Sequence, residues 1–309
     1  MKIFVLAPKE GWICDRLVRE WYDAFPSMST NNIHDADIIW LLAGWCWQHI
    51  PVELLKNKKI IVTEHHIVPE KFTKQKYHNF LARDQFVDCY HVPNEKTKSI
   101  LQQLTDNRIE VISYWYNNKL WQPINQREAR EKLGIDTKKY CVGSFQRDTE
   151  GSDLKTPKLE KGPDLFCDYL IRNRKKMEDM DDLHVILGGW RRQYVERRLK
   201  EAKIGYTLFE KSDINTVKLL YGSCNLYVVS SRYEGGPQAI IEAAAMRIPI
   251  ISTDVGIANT ILSKNCIINI EKDYYSPVNH DLDYALSKVQ NLSIENHGQK
   301  FISLFEEIK

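Results

Sequence analysis

The sequence lacks the features that mark several large classes of protein. It has no Cys-x-x-Cys pair among its 7 cysteines and no uninterrupted apolar run of about 18 residues. The odd number of scattered cysteines favours buried thiols in a reducing compartment over a disulfide framework. The apolar run at residues 2–7 is shorter than the core of a signal peptide, so we interpret it as a first buried strand. We therefore expect a cytoplasmic protein without a transmembrane helix.

Net charge is also small, with 43 Lys and Arg against 41 Asp and Glu and a formal charge of +2. A dedicated nucleic-acid-binding domain would be markedly basic, so nucleic acid is not an expected partner. Two basic stretches, residues 172–176 and 190–200, fall on predicted helices with acidic residues nearby. We interpret both stretches as solvated helix faces.

Clusters of metal ligands are missing as well. His65 and His66 are adjacent, a spacing that rarely ligates one ion, and no third ligand is spaced nearby. The Asp-x-Asp string within residues 178–182 precedes a predicted strand and is interpreted as a solvated turn. We expect no metal site and no cofactor.

What the chain does contain is a regular alternation of apolar runs with amphipathic segments. Predicted strands occupy residues 2–7, 36–42, 58–64, 86–92, 108–113, 140–145, 183–189, 206–209, 225–231, 248–253 and 266–270. Predicted helices occupy residues 12–25, 70–81, 94–105, 162–177, 190–203, 213–222, 237–246, 279–290 and 293–308. Continuous apolar strands that alternate with helices are typical of parallel sheets covered on both faces, so the pattern predicts an α/β fold.

One segment, residues 113–126, interrupts this alternation with the aromatic and Asn-rich sequence SYWYNNKLWQPINQ. We place the domain junction there. The prediction is an N-terminal Rossmann-like domain at 1–120, a C-terminal one at 121–290, and a helix at 291–309 that returns to the first domain. Ligands of open α/β sheets bind at the carboxyl ends of strands, so we expect the site in a central cleft between the two domains.

The most informative stretch is SSRYEGGPQAIIEAAAMRIPIISTDVG, residues 230–256. A predicted strand ends at Ser231, after which Gly235 and Gly236 allow the backbone to approach a ligand closely. Pro237 suits the first turn of the helix that follows. The start of that helix offers free N–H groups and a partial positive charge to an anion such as a phosphate.

Two glutamates flank this predicted anion site, with Glu234 before the glycines and Glu242 inside the helix. A carboxylate accepts two hydrogen bonds, so each can hold a pair of sugar hydroxyls. Their spacing alone arises often by chance, and a loop Glu with a surface Glu is ordinary. A glycosidase pair fits less well, because hydrolysis needs carboxylates on opposite sides of a bond. The strand, loop and helix around them favour a sugar nucleotide as the ligand.

The segment EGGPQAIIEAAAMRIPIISTDVG resembles the retaining nucleotide-sugar glycosyltransferases of family 4. In that family Glu-Gly-x-Pro precedes Glu-Ala-x-Ala, a Pro-aliphatic strand and a glycine. The resemblance covers most of the C-terminal half and implies the GT-B fold, in which two Rossmann-like domains face a cleft. It also implies that Glu234 contacts the donor sugar and Glu242 the nucleotide ribose, with the amides near Gly235 and Gly236 facing the donor.

Two cations extend the resemblance. The segments VGSFQRD and KLEKGPDLF look like the family's strand-end Arg and its Lys-Gly at a helix start. Arg147 and Lys161 would then hold the diphosphate and stabilise the charge of the leaving group. Because the intervening segment is longer than the family usually shows, Lys155 or Lys158 is an alternative to Lys161.

In the N-terminal half the resemblance is weaker. IIVTEHH matches a strand that ends in Thr-x-His, and His65 occupies the place of the family's His that points at the donor sugar. Gly11 is the best candidate for the Gly-rich turn that many members carry after the first strand. Trp45 and Trp47 can stack on an acceptor sugar or pack, and packing is the preferred interpretation.

These assignments give two sets of site residues. The residues assigned to catalysis are Glu234, His65, Arg147 and Lys161. The residues assigned to donor binding are Gly11, Gly188, Gly189, Phe209, Glu210, Gly235, Gly236, Pro237, Gln238 and Glu242.

The resemblance therefore implies a retaining, metal-independent glycosyltransferase that moves a sugar from a nucleotide diphosphate donor to an acceptor hydroxyl. The acceptor is expected to be a glycan, a lipid-linked sugar or a small molecule. With a lipid acceptor the basic helices would contact an anionic membrane surface. Two alternatives stay open. One is a sugar-nucleotide epimerase, with Glu64 and His65 as its acid and base, or a phosphorylase on the same fold. The other is a non-catalytic sugar-nucleotide-binding subunit.

Overall fold

The computed structural model describes residues 1–11, 13–178, 182–274 and 281–309. Its contacts divide the chain into two units, one formed by Met1–Asn117 with Asn291–Lys309 and the other by Asn118–Gln290. Each unit contains one five-stranded parallel sheet, so the predicted α/β class is confirmed. Residues 179–181 of the Asp-x-Asp string and the first two residues of the predicted helix at 279–290 lie outside the described residues.

The first unit has five parallel strands paired in chain order. The strands are β1 (Ile3–Leu6), β2 (Ile38–Leu41), β3 (Lys59–Thr63), β4 (Cys89–Val92) and β5 (Arg108–Val111). The helices are α1 (Ile13–Ala24), α2 (Val52–Asn57), α3 (Lys74–Asp84), α4 (Glu95–Leu101) and α12 (Ile294–Ile308), with 3-10 helices at Ile33–Asp35, Gly44–His49 and Pro69–Lys71. Every residue of β2 and β4 is buried, as expected of strands covered on both faces.

Helix α12 completes the aromatic core of the first unit. Phe301 is fully buried, and its ring centroid lies 5.1 Å from that of Trp40, 4.9 Å from that of His91 and 5.3 Å from that of Trp115. Phe305 lies 5.6 Å from Trp21. Aromatic contacts at these centroid distances stabilise the fold beyond the area that each ring buries. The last helix of the chain is therefore a structural part of the unit that begins the chain.

The second unit has a sheet whose strand order is not the chain order. Its parallel strands are β6 (Tyr140–Phe145), β9 (Leu183–Gly188), β10 (Gly205–Phe209), β11 (Leu226–Val229) and β12 (Ile250–Ser252). Their order across the sheet is β10-β9-β6-β11-β12, which places β6, the first strand of this sheet in the chain, at its centre. The antiparallel hairpin of β7 (Thr149–Glu150) and β8 (Thr156–Pro157) is separate from this sheet.

Helices and short turns fill the intervals between these strands. The helices are α5 (Gln126–Leu133), α6 (Pro163–Glu178), α7 (Gln193–Glu201), α8 (Ile214–Gly222), α9 (Gln238–Ala245), α10 (Ala258–Ile261) and α11 (Leu282–Val289). The 3-10 helices are Leu159–Lys161, Lys264–Cys266 and Gln290–Leu292. Because all strands of the sheet are parallel, the loops after β6, β9, β11 and β12 leave from one edge.

The predicted strand at 266–270 is wrong. A 3-10 helix covers its first residue, and Ile267 makes an isolated bridge to Ser252. The chain then turns, because the backbone N–H of Asn269 donates to the carboxylate of Asp273 at 2.7 Å. Helices α2 and α10 and the β7-β8 hairpin were not predicted. These elements are too short for their hydrophobic periodicity to show in the sequence.

Two kinds of feature are absent from the part of the chain that the structure describes. No helix there is long and apolar enough to cross a membrane. No group of three or more His, Cys, Asp or Glu side chains among those residues is arranged to hold a metal ion.

Replacing Phe301 with Ala tests the role of α12. We expect a loss of about 3–5 kcal/mol in the free energy of unfolding, because the change removes a fully buried ring and leaves a cavity. Urea unfolding followed by tryptophan fluorescence measures it, since six of the 8 tryptophans lie in the first unit. The exposed Glu306→Ala on the same helix is the control and should change stability by less than about 0.5 kcal/mol. Equal effects of the two changes would contradict this account.

Candidate functional site

The candidate site lies at the carboxyl edge of the second unit's sheet. Phe145, the last residue of β6, pairs in register with Gly188, the last residue of β9. Val229, the last residue of β11, pairs with Ser252, the last residue of β12. Four loops therefore begin side by side, and the loops after β6, β9 and β11 carry half of the residues that were assigned to the site from the sequence.

Two predicted site residues that are far apart in the sequence, Lys161 and Glu234, form an ion pair. Lys161 Nζ lies 2.5 Å from Glu234 Oε1, and the two side chains are 18% and 15% exposed. The Ser231 hydroxyl donates to the same carboxylate oxygen at 3.1 Å. A half-buried carboxylate with a cation and a hydroxyl on one oxygen is fixed in direction, so the pair presents a preorganised charged surface.

Backbone hydrogen bonds hold the two loops of this pair together. The N–H groups of Arg232 and Tyr233 both donate to the carbonyl of Glu160, at 2.9 and 3.1 Å. The guanidinium of Arg232 also grips the carboxylate of Asp164 with two bonds, at 2.8 and 2.7 Å. These bonds attach the loop that carries Glu234 to Glu160 and Asp164, which lie on either side of Lys161 in the sequence.

Glycines make these close approaches possible. Gly162 has a φ of +59°, and a Cβ there would lie 1.9 Å from the carbonyl oxygen of Ser230. Gly256 has a φ of +54°, and a Cβ there would lie 2.3 Å from the carbonyl oxygen of Gly235. Both positions need the left-handed backbone and the missing side chain of glycine. The Glu-Gly-Gly-Pro loop therefore packs directly on the turn after β12.

Two further cations lie beside Lys161. Burial lowers the pKa of Lys158, and the positive charges of Lys161 and Arg147 lower it further. The Arg147 guanidinium stands 5.2 Å from the ring centre of Trp190 and donates to the carbonyl of Thr149 at 3.3 Å. Lys155 instead lies on the exposed turn of the β7-β8 hairpin. Of the two alternatives to Lys161 that the sequence left open, Lys158 is the one beside it.

Glu242 lies on α9 and is 4% exposed. Its Oε2 accepts a hydrogen bond of 2.9 Å from the hydroxyl of Tyr221. The other predicted residues of this segment are close in sequence: Gly235, Pro237 and Gln238 are buried, and Gly236 is half-buried. Pro237 is the residue before α9, so the helix begins one residue later than the sequence analysis placed it.

The loops after β9 and β10 form a second group. The N–H of Gly189, at a φ of +103°, donates to the carbonyl of Phe209 at 3.2 Å. A Cβ at Gly188 would lie 2.9 Å from the ring of Phe145. The carboxylate of Glu210 accepts from the N–H of Arg191 at 3.3 Å. The structure therefore brings these predicted residues together. The β6 loop connects this group to Lys161 and Glu234.

The predicted residues of the first unit are bonded within that unit. His65 Nε2 lies 2.6 Å from the carbonyl oxygen of Leu42, and Nδ1 contacts the hydroxyl of Tyr114. A carbonyl only accepts, so Nε2 carries a proton and donates it to the carbonyl of Leu42. The N–H of Gly11 donates to the carboxylate of Asp15 at 2.6 Å. The assigned roles of His65 and Gly11 stay predictions.

The two tryptophans of the Gly44–His49 helix behave differently. Trp47 packs against the core, with its ring centroid 6.2 Å from that of Phe86. Trp45 is 59% exposed, so packing does not account for it.

The sequence analysis missed several polar residues that shape the site. Gln146 donates to the carbonyl of Lys161 at 2.9 Å, and Thr253 donates to the carbonyl of Ser231 at 2.6 Å. Each of these residues directly follows a strand or lies within two residues of its end. Polar residues at the carboxyl ends of parallel strands were the available signal.

Comparison with known proteins bears mainly on this second unit. Residues 154–275 match the family model described as glycosyl transferases group 1. The matched range includes Lys158, Lys161, Glu234 and Glu242, whereas Arg147 lies before it. Residues 154–275 therefore have the sequence pattern of group 1 glycosyl transferases.

Two curated proteins are similar in sequence. The lipopolysaccharide core biosynthesis mannosyltransferase LpsB of Rhizobium meliloti is 31% identical over 152 residues, which are 47% of this chain and 40% of LpsB. The O-antigen chain mannosyltransferase RfbU of Salmonella typhimurium is 23% identical over 263 residues, 80% of this chain and 67% of RfbU. The match to LpsB thus spans less than half of that protein's length.

Solved structures share the fold over most of the chain. Anabaena HepE in complex with UDP and glucose has a TM-score of 0.72 and 12% identity, with 99% of this chain and 100% of HepE covered. The sucrose-phosphate synthase of Thermosynechococcus elongatus has a TM-score of 0.65 and 18% identity, with 95% of this chain and 77% of that protein covered. At these identities the likeness shows the fold, and the GT-B prediction is confirmed. The comparisons therefore show a GT-B fold and, for residues 154–275, similarity to group 1 glycosyl transferases.

A first prediction concerns the contact at Gly162. Gly162→Ala should lower the unfolding temperature more than Gly134→Ala, since both positions have a positive φ but a Cβ at Gly134 meets nothing within 4 Å. We expect Gly134→Ala to cost about 1 kcal/mol for the left-handed backbone alone, and Gly162→Ala to cost more because a backbone carbonyl must move. Thermal unfolding of both variants measures the difference. If Gly162→Ala were as mild as its control, the close approach would not be real.

A second prediction concerns Lys158. Its pKa is lowered in the folded protein, so the unfolded chain binds this proton more tightly and the charged form costs stability at neutral pH. Lys158→Met should therefore raise the unfolding temperature at pH 7, and the gain should shrink as pH rises through the lowered pKa towards the ordinary lysine range. Thermal melts between pH 7 and pH 10.5 follow the gain. The exposed Lys155→Met is the control, and an equal gain there would contradict the assignment.

Proposed function

We propose that the protein is a retaining glycosyltransferase that moves a sugar from a nucleotide diphosphate donor to a hydroxyl of a glycan acceptor without a metal ion. The observation that carries the proposal is the Lys161–Glu234 pair, with Nζ and Oε1 2.5 Å apart at the carboxyl edge of a parallel sheet. In a nucleotide diphosphate sugar, one glycosidic oxygen joins the second phosphate to the sugar ring. A cation for the phosphate and a carboxylate for the ring hydroxyls must therefore be neighbours, as these two side chains are.

The cations supply the chemistry that the leaving group needs. When the glycosidic bond breaks, the diphosphate takes up the electron pair and gains negative charge. Arg147 and Lys161, with Lys158 beside them, would stabilise that charge where it develops. These side chains are already held close to one another, so little reorganisation is needed during the reaction.

The carboxylates would orient the donor. Glu234 would hold the sugar through its 3- and 4-hydroxyls, and Glu242 would hold the ribose of the nucleotide. In a same-face reaction the leaving phosphate oxygen itself accepts the proton of the attacking hydroxyl, and the anomeric configuration is retained. No side chain is then needed as general base, in keeping with a His65 ring whose two nitrogens are bonded within its own unit.

The relatives narrow the choice of donor and acceptor. Both curated relatives are named as mannosyltransferases of lipopolysaccharide core or O-antigen chains, so we propose mannose as the first sugar to test and a surface glycan as the acceptor class. HepE structures contain UDP, UDP with glucose, or UDP-glucose, which makes UDP-glucose the second donor to test. A cytoplasmic location, with contact to an anionic membrane surface when the acceptor is lipid-linked, completes the proposal.

The contacts of Glu64 disfavour the epimerase alternative. Its carboxylate is bound by the guanidinium of Arg83 at 2.9 Å, and Arg83 is 8% exposed. An acid or base that works on the sugar ring must exchange its proton with the substrate, whereas the Glu64 carboxylate is already held in an ion pair with a buried guanidinium. With His65 also bonded on both nitrogens, the acid and base that an epimerase needs are both engaged.

Glu234 and Glu242 should have separable effects on binding and transfer. Isothermal titration with GDP and UDP should show at least about tenfold weaker binding to Glu242→Ala, because a buried ribose contact is lost. Glu234→Ala should bind the nucleotide diphosphate nearly as wild type does and should transfer sugar at least about tenfold more slowly. Transfer is measured as GDP or UDP released from GDP-mannose or UDP-glucose in the presence of lipopolysaccharide-type oligosaccharides.

The exposed Glu128→Ala on α5 is the control and should match wild type in both assays. Product NMR should show the anomeric configuration of the donor, and EDTA should leave the rate unchanged. Unchanged nucleotide affinity in Glu242→Ala would contradict the ribose role. Epimer formation from the donor alone would favour the epimerase instead.

A further inference from the structure

A fully buried ion pair lies behind the candidate site. Asp148 and Arg192 are both 0% exposed, and Arg192 Nε donates to Asp148 Oδ2. Arg192 Nη1 also donates to the carbonyls of Ser144 and Gly188, each at 2.5 Å, and Nη2 donates to the Ser144 hydroxyl at 3.1 Å. One guanidinium thereby joins the carboxyl ends of β6 and β9.

This ion pair is connected to each loop that carries a candidate phosphate ligand. Asp148 directly follows Arg147, and its N–H donates to the carbonyl of Arg191 at 3.3 Å. Its own carbonyl accepts from the N–H of Lys158 at 2.8 Å. The carbonyl of Lys158 in turn accepts from the N–H of Lys161 at 2.8 Å. The backbone at Arg147, Lys158 and Lys161 is therefore connected, directly or through one further hydrogen bond, to the Asp148–Arg192 ion pair.

Backbone strain adds a second observation at the same place. Arg191 has a φ of +59°, a left-handed conformation that is uncommon for a residue with a side chain. Such strain persists only where the surroundings over-determine it, and it concentrates at functional positions. Burying an ion pair also carries a desolvation cost that a well-packed apolar pair would avoid. The strained backbone of Arg191 and the desolvated ion pair both cost stability, and both lie next to the candidate phosphate ligands.

We propose that Asp148 and Arg192 are positioning residues for diphosphate binding, which act on the donor through Arg147, Lys158 and Lys161. This inference rests on the proposed function, because it assigns a purpose to the loops that would hold the donor phosphates. The ion pair fixes the direction in which Arg147 leaves β6 and the distance between Arg147 and Lys158. A shift of either loop would weaken diphosphate binding and leave contacts to the base and ribose in place.

A double-mutant cycle on diphosphate affinity tests the proposal. Arg192→Lys keeps the charge but loses the planar fork that reaches two carbonyls, so we expect about tenfold weaker GDP or UDP binding. Arg147→Ala should weaken binding by a similar factor on its own. Because Arg192 acts through Arg147, the double variant should bind no more than about threefold more weakly than Arg147→Ala alone. A merely structural role would instead multiply the two effects.

Arg130→Lys is the matched control. Arg130 is also an arginine of the second unit, 2% exposed, and donates to the carbonyls of Ser223, Thr137 and Lys139, each at 3.0 Å. It should leave diphosphate affinity within about twofold of wild type even if it lowers the unfolding temperature. Should Arg192→Lys fail to fold, Ser144→Ala removes one bond to the same guanidinium and should weaken binding about threefold, with the same non-additivity towards Arg147→Ala.

The possible results distinguish a failure of the proposed function from a failure of this inference. Wild-type protein that binds neither GDP nor UDP overturns the proposed function and this inference with it. This inference alone is overturned if the wild type binds GDP or UDP but Arg192→Lys or Ser144→Ala has the same affinity as Arg130→Lys. It is also overturned if the effects of the two changes multiply in the double variant. The inference is supported if Arg192→Lys weakens diphosphate binding on its own and has little further effect when Arg147→Ala is already present.

Discussion

The candidate site depends on the approach of the backbone at Gly162 to the carbonyl of Ser230. Because no side chain separates them, the start of α6 lies against the end of β11, and Lys161 reaches Glu234. The hydrogen bonds from Arg232 and Tyr233 to Glu160 lie beside this contact, and Gly256 packs on Gly235 further along the same loop. A steric condition, rather than the attraction of the charges, thus sets the geometry on which the electrostatics then act.

Charge is concentrated at this edge of the sheet although the chain as a whole is nearly neutral. Lys158 is partly buried beside Lys161 and Arg147, and its lowered pKa records that its charge is held at a cost in stability. A fold with no need to bind an anion would gain by placing these cations in water. Their grouping at this edge of the sheet is the physical basis of the proposed donor site. Lys158 and Lys161 lie within the segment that matches group 1 glycosyl transferases, and Arg147 lies just before it.

The first unit shows the opposite balance, with rigidity supplied by apolar rings. Phe301 and Phe305 of α12 pack among buried tryptophans, and His65 is held by a carbonyl and a tyrosine hydroxyl. A histidine bonded on both nitrogens is well oriented and poorly suited to proton exchange. In this unit His65 is fixed by its hydrogen bonds, whereas the ring of Trp45 is exposed.

The amino-acid sequence by itself determined the α/β class, the position of most strands and helices, and the Glu234 to Glu242 segment. These are local properties, since periodicity, glycines and a helix-starting proline act over a few residues. Only the tertiary structure decided that Lys161 meets Glu234 across 73 positions of the chain, that Lys158 rather than Lys155 lies beside Lys161, and that Asp148 and Arg192 form a buried pair. It also replaced the strand expected at 266–270 by a turn. Such contacts join residues that share no local pattern, so they exist only once parallel strands bring their carboxyl ends to one edge.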